Sequence, residues 1–111
     1  MEFTLLFLKF FLKALVLGAP LLAFFFLLIV LLGQWVGKLE GWSRFDAFYW
    51  SFITALTVGY GDFRPSSRKS KLLALATATV GIMFSGVFVA VTVAAATEAF
   101  RQYMPDWTPI G

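Results

Sequence analysis

Cysteine and histidine are both missing from the 111 residues. Without cysteine there is no disulfide framework and no thiolate metal site. Without histidine the commonest general base, and the usual switch near neutral pH, are gone. Charge is scarce as well: Asp, Glu, Lys and Arg make up 14% of the chain, and the net charge is only +3. The basic residues are scattered, so nothing favours a nucleic-acid partner. Hydrocarbon fills the place of polarity. The chain is 60% hydrophobic with a mean hydropathy of +0.86, which excludes an ordinary soluble domain and makes the bilayer its solvent. Two spans leave no room in such a length for a catalytic domain, so no enzyme activity is expected.

The hydrophobicity falls into two uncharged runs. Residues 14–33 form one of about 20 residues and residues 72–97 another of about 26, each enough to cross a hydrocarbon core of about 30 Å. The first is too long for a signal peptide and no small-x-small cleavage site follows it. Pro20 lies within it, which membrane helices tolerate. Ahead of it, Glu2, Lys9 and Lys13 fall close together on a helical wheel. Either residues 1–13 are an interfacial helix, or the span starts early and both lysines snorkel to the headgroups as membrane anchors. Between the runs, Gly33, Gly37 and Gly41 read as breakers, and Trp35 and Trp42 as interfacial aromatics. Residues 43–56 read as a helix too short to span, with Ser43 as N-cap and Asp46 three residues on. The second run is rich in alanine, glycine and serine, the residues that let helices approach closely in lipid.

Between the short helix and the second run stands Thr57-Val58-Gly59-Tyr60-Gly61-Asp62. Glycine reaches φ > 0 without steric cost. Two glycines in alternation let successive carbonyls turn to one side, where they can replace the water shell of a bare cation. The bland alternative is a turn between helices. A loop at membrane depth, however, has to be buried in protein or face a polar axis.

The order span, short helix, glycine loop, span resembles the two-transmembrane potassium channel pore, and residues 57–62 match its selectivity filter residue for residue. The resemblance covers about residues 14–100. It implies an all-α membrane protein with two transmembrane helices, a re-entrant pore helix and a filter loop, assembling as a homotetramer. The single domain would divide into an N-terminal segment and outer helix (1–33), turret (34–42), pore helix (43–56), filter (57–62), outer loop (63–70), inner helix (71–104) and tail (105–111). The carbonyls of Thr57, Val58, Gly59 and Tyr60, with the Thr57 hydroxyl, would coordinate potassium. Gly61 and Asp62 would support the filter, with Tyr60 packed on a cuff of Tyr49 and Trp50 and Asp62 bonded to Trp50. The dipole at the C-terminal end of the pore helix would favour a cation in a central cavity. Ile82, Ser85, Val89 and Val93 would line the inner pore, and Gly81 holds the family's hinge position with Gly86 five residues on. The implied partners are membrane lipids and other copies of the chain. Potassium is the permeant ion and no cofactor is implied.

Three positions depart from the family pattern. Ile53 replaces a glutamate common in bacterial members, Leu56 a common threonine, and Arg64 an aromatic residue that cages quaternary ammonium in some relatives. Several residues carry two readings. Gly81 and Gly86 are each a hinge or a helix contact. Ser85 faces the cavity or bonds its own helix. Glu98 belongs to an acidic inner mouth or pairs with Arg101. The resemblance places the protein in the cell membrane with both termini cytoplasmic. Counting positive charges alone gives the reverse, since Lys38, Arg44, Arg64, Arg68, Lys69 and Lys71 would then lie outside. The rival functions are a non-selective cation pore on the same scaffold and a structural membrane protein without ion flux.

Overall fold

A computed structural model describes residues 2–104 of the chain; the tail at 105–111 lies outside them. Three helices account for nearly all of it: α1 (Glu2–Glu40), α2 (Arg44–Ala55) and α3 (Arg68–Tyr103). No strand occurs among the described residues. Both α1 and α3 contain windows long and apolar enough to cross a membrane, whereas α2, at 12 residues, is too short. Two units can be distinguished. One comprises residues 22–85 with the whole of α2 and the loops around it. The other comprises residues 2–21 and 86–104.

Helix boundaries differ from the sequence reading in two places. The helix does not stop at Gly33. It begins at Glu2 and runs through Pro20, Gly33 and Gly37 to Glu40, so the N-terminal residues are part of α1 and the connecting segment is short. Gly41 is the true stop. Its φ of 77° is left-handed, and Trp42 N–H donates to the Gly37 carbonyl at 2.8 Å, the closing bond of a Schellman turn. The inner helix starts at Arg68, earlier than residue 71. Ser67 caps it: Ser67 Oγ accepts from Ser70 N–H at 3.1 Å, and Ser67 O accepts from Lys71 N–H at 2.9 Å. Ser43 caps α2 as its sequence suggests, accepting from Asp46 N–H at 3.1 Å.

Gly33 and Gly37 are packing surfaces instead of breakers. Along α2, Ala47, Ser51 and Ala55 recur every four residues and are all buried. Gly37 faces Ala47, and Gly33 faces Ser51. A methyl group on Gly33 would overlap Ser51 Cβ and lie 3.1 Å from the Ala47 carbonyl oxygen; one on Gly37 would lie 2.5 Å from Ala47 Cβ. On the other side Gly81 of α3 meets the backbone of Ala55, where a methyl group would overlap the Ala55 Cα and carbonyl oxygen. Small residues spaced four apart let helix backbones approach closely, and in lipid that dispersion contact replaces hydrophobic drive. The Ser51 hydroxyl donates to Phe48 O at 2.7 Å, so its burial leaves no polar group unsatisfied.

The unit formed by residues 2–21 and 86–104 is held by small residues and rings. Val91, Ala95 and Ala99 are its buried side of α3, with Val91 against Gly18. Phe3 stacks at 4.4 Å on Phe100 and at 6.0 Å on Tyr103.

These contacts separate the two inner-helix glycines. Gly81→Ala should destabilise the protein by about 1–3 kcal/mol through overpacking against backbone that cannot yield. Gly86→Ala, with no atom within 4 Å to meet, should be neutral or stabilising through helix propensity, by up to about 1 kcal/mol. Denaturant unfolding in detergent micelles, followed by circular dichroism, measures both; equal stability of the two variants would contradict the contact at Ala55.

Candidate functional site

The loop after α2 begins as the closure of that helix. Thr57 N–H donates to Thr54 O at 3.2 Å and Val58 N–H to Ile53 O at 2.9 Å, with Gly59 N–H sharing the same acceptor at 3.1 Å. This Schellman pattern requires its residue beyond the cap to be left-handed, and that residue is Thr57, with φ 63°. It is the one non-glycine residue with positive φ among the described residues. A β-branched residue there is strained, by about 1–3 kcal/mol.

Positive φ then recurs at every second position: Thr57 at 63°, Gly59 at 58° and Gly61 at 82°, with Val58 and Tyr60 negative between them. Alternation of left- and right-handed residues keeps successive peptide groups facing the same way. Such alternation makes concavities lined by N–H groups for anions, and its opposite face presents carbonyl oxygens. Here the first three N–H groups are turned back onto α2. The carbonyls of Thr57, Val58, Gly59, Tyr60 and Gly61 accept no hydrogen bond among the described residues. All five residues are exposed in the single chain.

Aromatic rings and one carboxylate brace the loop. Trp50 is buried and packs at 5.5 Å on Trp42, which meets Phe63 edge-on at 5.4 Å; Phe63 in turn meets Tyr49 at 6.3 Å. Asp62 Oδ1 accepts from Phe63 N–H at 3.2 Å. No hydrogen bond joins Asp62 to Trp50 among the described residues; the Tyr49 pKa is pushed up by desolvation first and then by its interaction with the nearby Asp62 carboxylate. Tyr60 is 71% exposed and touches neither Tyr49 nor Trp50 of its own chain. Behind the loop a hollow of about 300 Å³ is lined by Ile53, Thr54, Gly59, Gly61, Asp62 and Arg64 among others.

A second clamp joins the end of α1 to the start of α3. Glu40, the last residue of α1, accepts from Ser66 N–H at 2.9 Å, Ser66 Oγ at 2.8 Å and Ser67 N–H at 3.4 Å. Sequence reasoning did not single out Glu40, Ser66, Phe63 or the bracing role of Trp42. The Ser66-Ser67 pair ahead of the second helix was the available signal, as a helix start.

On α3, Ile82 is exposed on the side away from buried Thr77 and Phe84, whereas Ser85, one turn after Gly81, is half-buried at the edge of that buried stripe. Further along, Val89 and Val93 are exposed on the side away from Val91, Ala95 and Ala99. Thr77, Thr79 and Thr92 bond the carbonyls of their own helix, and Ser85 does not. Gly81 is occupied by its contact with Ala55. Glu98 pairs with Arg101 at 3.5 Å.

The positive φ at Gly61 can be tested by chirality. L-alanine at position 61 should cost about 1–2 kcal/mol. D-alanine introduced by semisynthesis should be tolerated, because a φ of 82° is a conformation that D-residues favour. Thermal stability of the two proteins, with the Tyr60 backbone carbon shifts, provides the readout; equal losses would refute the left-handed assignment.

Comparison with known proteins agrees with this architecture. A family model described as "Ion channel" matches residues 21–98. Residues of this chain are 61% identical over 33 positions to the TWiK family of potassium channels protein 7 of Caenorhabditis elegans, covering 30% of this chain and 6% of that protein. The Two-pore potassium channel 4 of Arabidopsis thaliana is 46% identical over 39 residues, covering 35% and 14%. The Potassium channel protein 1 of Methanocaldococcus jannaschii is 44% identical over 46, covering 41% and 14%. The chain thus matches less than a fifth of the length of each of these relatives. No solved structure matches it. Two membrane-spanning helices bracketing a short helix and a glycine loop, and a family match over most of the length, give one conclusion: the chain is a multi-pass membrane protein belonging to the ion channel family.

Proposed function

We infer that the chain forms the pore of a potassium-selective channel that conducts passively, with four copies arranged around one axis. The observation that carries this reading is the run of five backbone carbonyls, residues 57–61, without a partner among the described residues. At membrane depth an unsatisfied carbonyl costs several kcal/mol, and dehydrated potassium is the ligand that such oxygens suit. One chain supplies one loop, so a closed ring requires several copies, and cyclic symmetry closes it. The exposed Val58 and Tyr60 side chains are suited to contact with neighbouring copies, where Tyr60 would meet the cuff it lacks in the single chain. In this arrangement Thr57, Val58, Gly59 and Tyr60 coordinate potassium. Ile82, Ser85, Val89 and Val93 face the inner pore. Both termini lie in the cytoplasm of the cell.

Gly81 is better suited to holding α2 than to hinging, because its contact is with the Ala55 backbone. Gly86, where an added methyl group would meet no atom within 4 Å, is the better candidate for bending. The pairing of Glu98 with Arg101 weakens the case for an acidic inner mouth.

Liposomes loaded with potassium chloride and holding the protein should take up tracer rubidium as potassium leaks out down its own gradient, exclude sodium and be blocked by barium. Thr57→Ala removes one coordinating hydroxyl per copy and should weaken barium block by at least about tenfold, the equivalent of about 1.4 kcal/mol. Sodium permeating as readily as potassium would favour the non-selective pore, and no flux at all would favour a structural role.

A further inference from the structure

The +3 net charge is not evenly spread. Residues 34–71 carry six cations, Lys38, Arg44, Arg64, Arg68, Lys69 and Lys71, against three carboxylates, Glu40, Asp46 and Asp62. That balance of +3 per chain sits on the end of the protein that holds the filter loop. The three carboxylates are also committed to local work. Both oxygens of Glu40 are taken by Ser66 and Ser67. Asp46 occupies the first turn of α2, where a negative charge favours the helix dipole. Asp62 accepts from Phe63 N–H and lies near Tyr49. No ion pair to any of the six cations is formed among the described residues. Lys69 lies over the Trp35 ring at 5.3 Å, a contact that leaves its charge intact.

Arg64 is the cation nearest the filter, two residues past Asp62, and it is exposed. It has no hydrogen-bond or ion-pair partner among the described residues. Conducting pores for cations commonly carry acidic rings at their mouths, and basic rings belong to anion pores. A ring of arginines at the mouth of a potassium pore therefore opposes the permeant ion. We propose that Arg64 is a conductance-setting residue: its guanidinium, paired with no carboxylate and repeated around the axis, depletes potassium at the outer mouth and makes ions enter less readily from that side than they would without it. This rests on the potassium-pore reading above.

The magnitude follows from screening. The Debye length is about 8 Å near physiological ionic strength and about 30 Å at 0.01 M. For four charges taken to stand about 10 Å from the axis, this ring alone lowers the local potassium concentration about twofold at physiological salt and several-fold at 0.01 M. Ion entry from the opposite mouth is not subject to this ring. The result is outward rectification that grows as salt is diluted and vanishes near 1 M, where the Debye length is about 3 Å.

The test is single-channel recording in uncharged bilayers with symmetric potassium chloride from about 0.01 to 1 M. Wild-type protein should show an outward-to-inward conductance ratio of about two at physiological salt, rising several-fold on dilution. Arg64→Gln should bring the ratio down by about the same factor at each salt concentration. The chain has no cysteine, so Arg64→Cys supplies the sole thiol and also reports sidedness. An anionic methanethiosulfonate added to the chamber that the loop faces should raise inward current, and a cationic one should lower it. Selective potassium current whose rectification is unchanged by Arg64→Gln, or by either reagent, overturns this role while leaving the pore reading intact. Absence of potassium current in the wild-type protein overturns the pore reading, and this role with it.

Discussion

Backbone-to-backbone contact through glycine is the constraint on which the filter end of this protein depends. α2 is short, carries no charged residue on its buried side, and has to be held within a membrane where the hydrophobic effect does not drive helices together. It is held by shape. Ala47, Ser51 and Ala55 form one small-residue edge. Gly37 and Gly33 receive its first two members and Gly81 the third. Each contact brings main chain within reach of main chain, so the gain is dispersion energy summed over many atoms at once. The same contacts set the position of Ala55, two residues ahead of Thr57, and therefore where the loop begins.

From that fixed start, hydrogen bonding divides the loop's polar groups into two sets. The N–H groups of Thr57, Val58 and Gly59 close α2 and are satisfied within the chain. The carbonyls of residues 57–61 are left over, with handedness alternating residue by residue. A helix cap and a row of unpaired carbonyls are thus two sides of one backbone arrangement. The strain accepted at Thr57 is the local cost of making the cap and the carbonyl row continuous. Ile53 contributes its carbonyl to the cap and its apolar side chain to the hollow behind the loop. A glutamate at this position would add a charge beside Asp62 there; isoleucine adds none.

The outer rim shows how few polar residues suffice when each is used fully. Glu40 ends one long helix and binds the serines that start the other. Its three accepted hydrogen bonds are charge-assisted. Its charge stays in place, but three carboxylates against six cations leave residues 34–71 at +3.

How much of this was legible in the sequence depends on whether a property is local. Length and hydropathy determined two spanning helices and one short one, because crossing about 30 Å of hydrocarbon sets a minimum run of apolar residues. Ser43 and the alternating glycines of the loop were equally readable, since caps and positive φ are demands a residue makes of its own backbone. Gly33, Gly37 and Gly81 were not readable in that way. A glycine can end a helix or admit a neighbour into it, and only the presence of Ser51, Ala47 and Ala55 across the gap decides for the second. The same holds for Asp62, whose nearness to Tyr49 depends on which side chain the packed helix presents, and for Glu40, whose partners lie 26 and 27 residues away. The sequence by itself determined which segments are long and apolar enough to cross a membrane and which backbone positions can turn left-handed. The tertiary structure alone decided what holds that backbone in place, because close approach between distant segments is a property of pairs and no single residue encodes its partner.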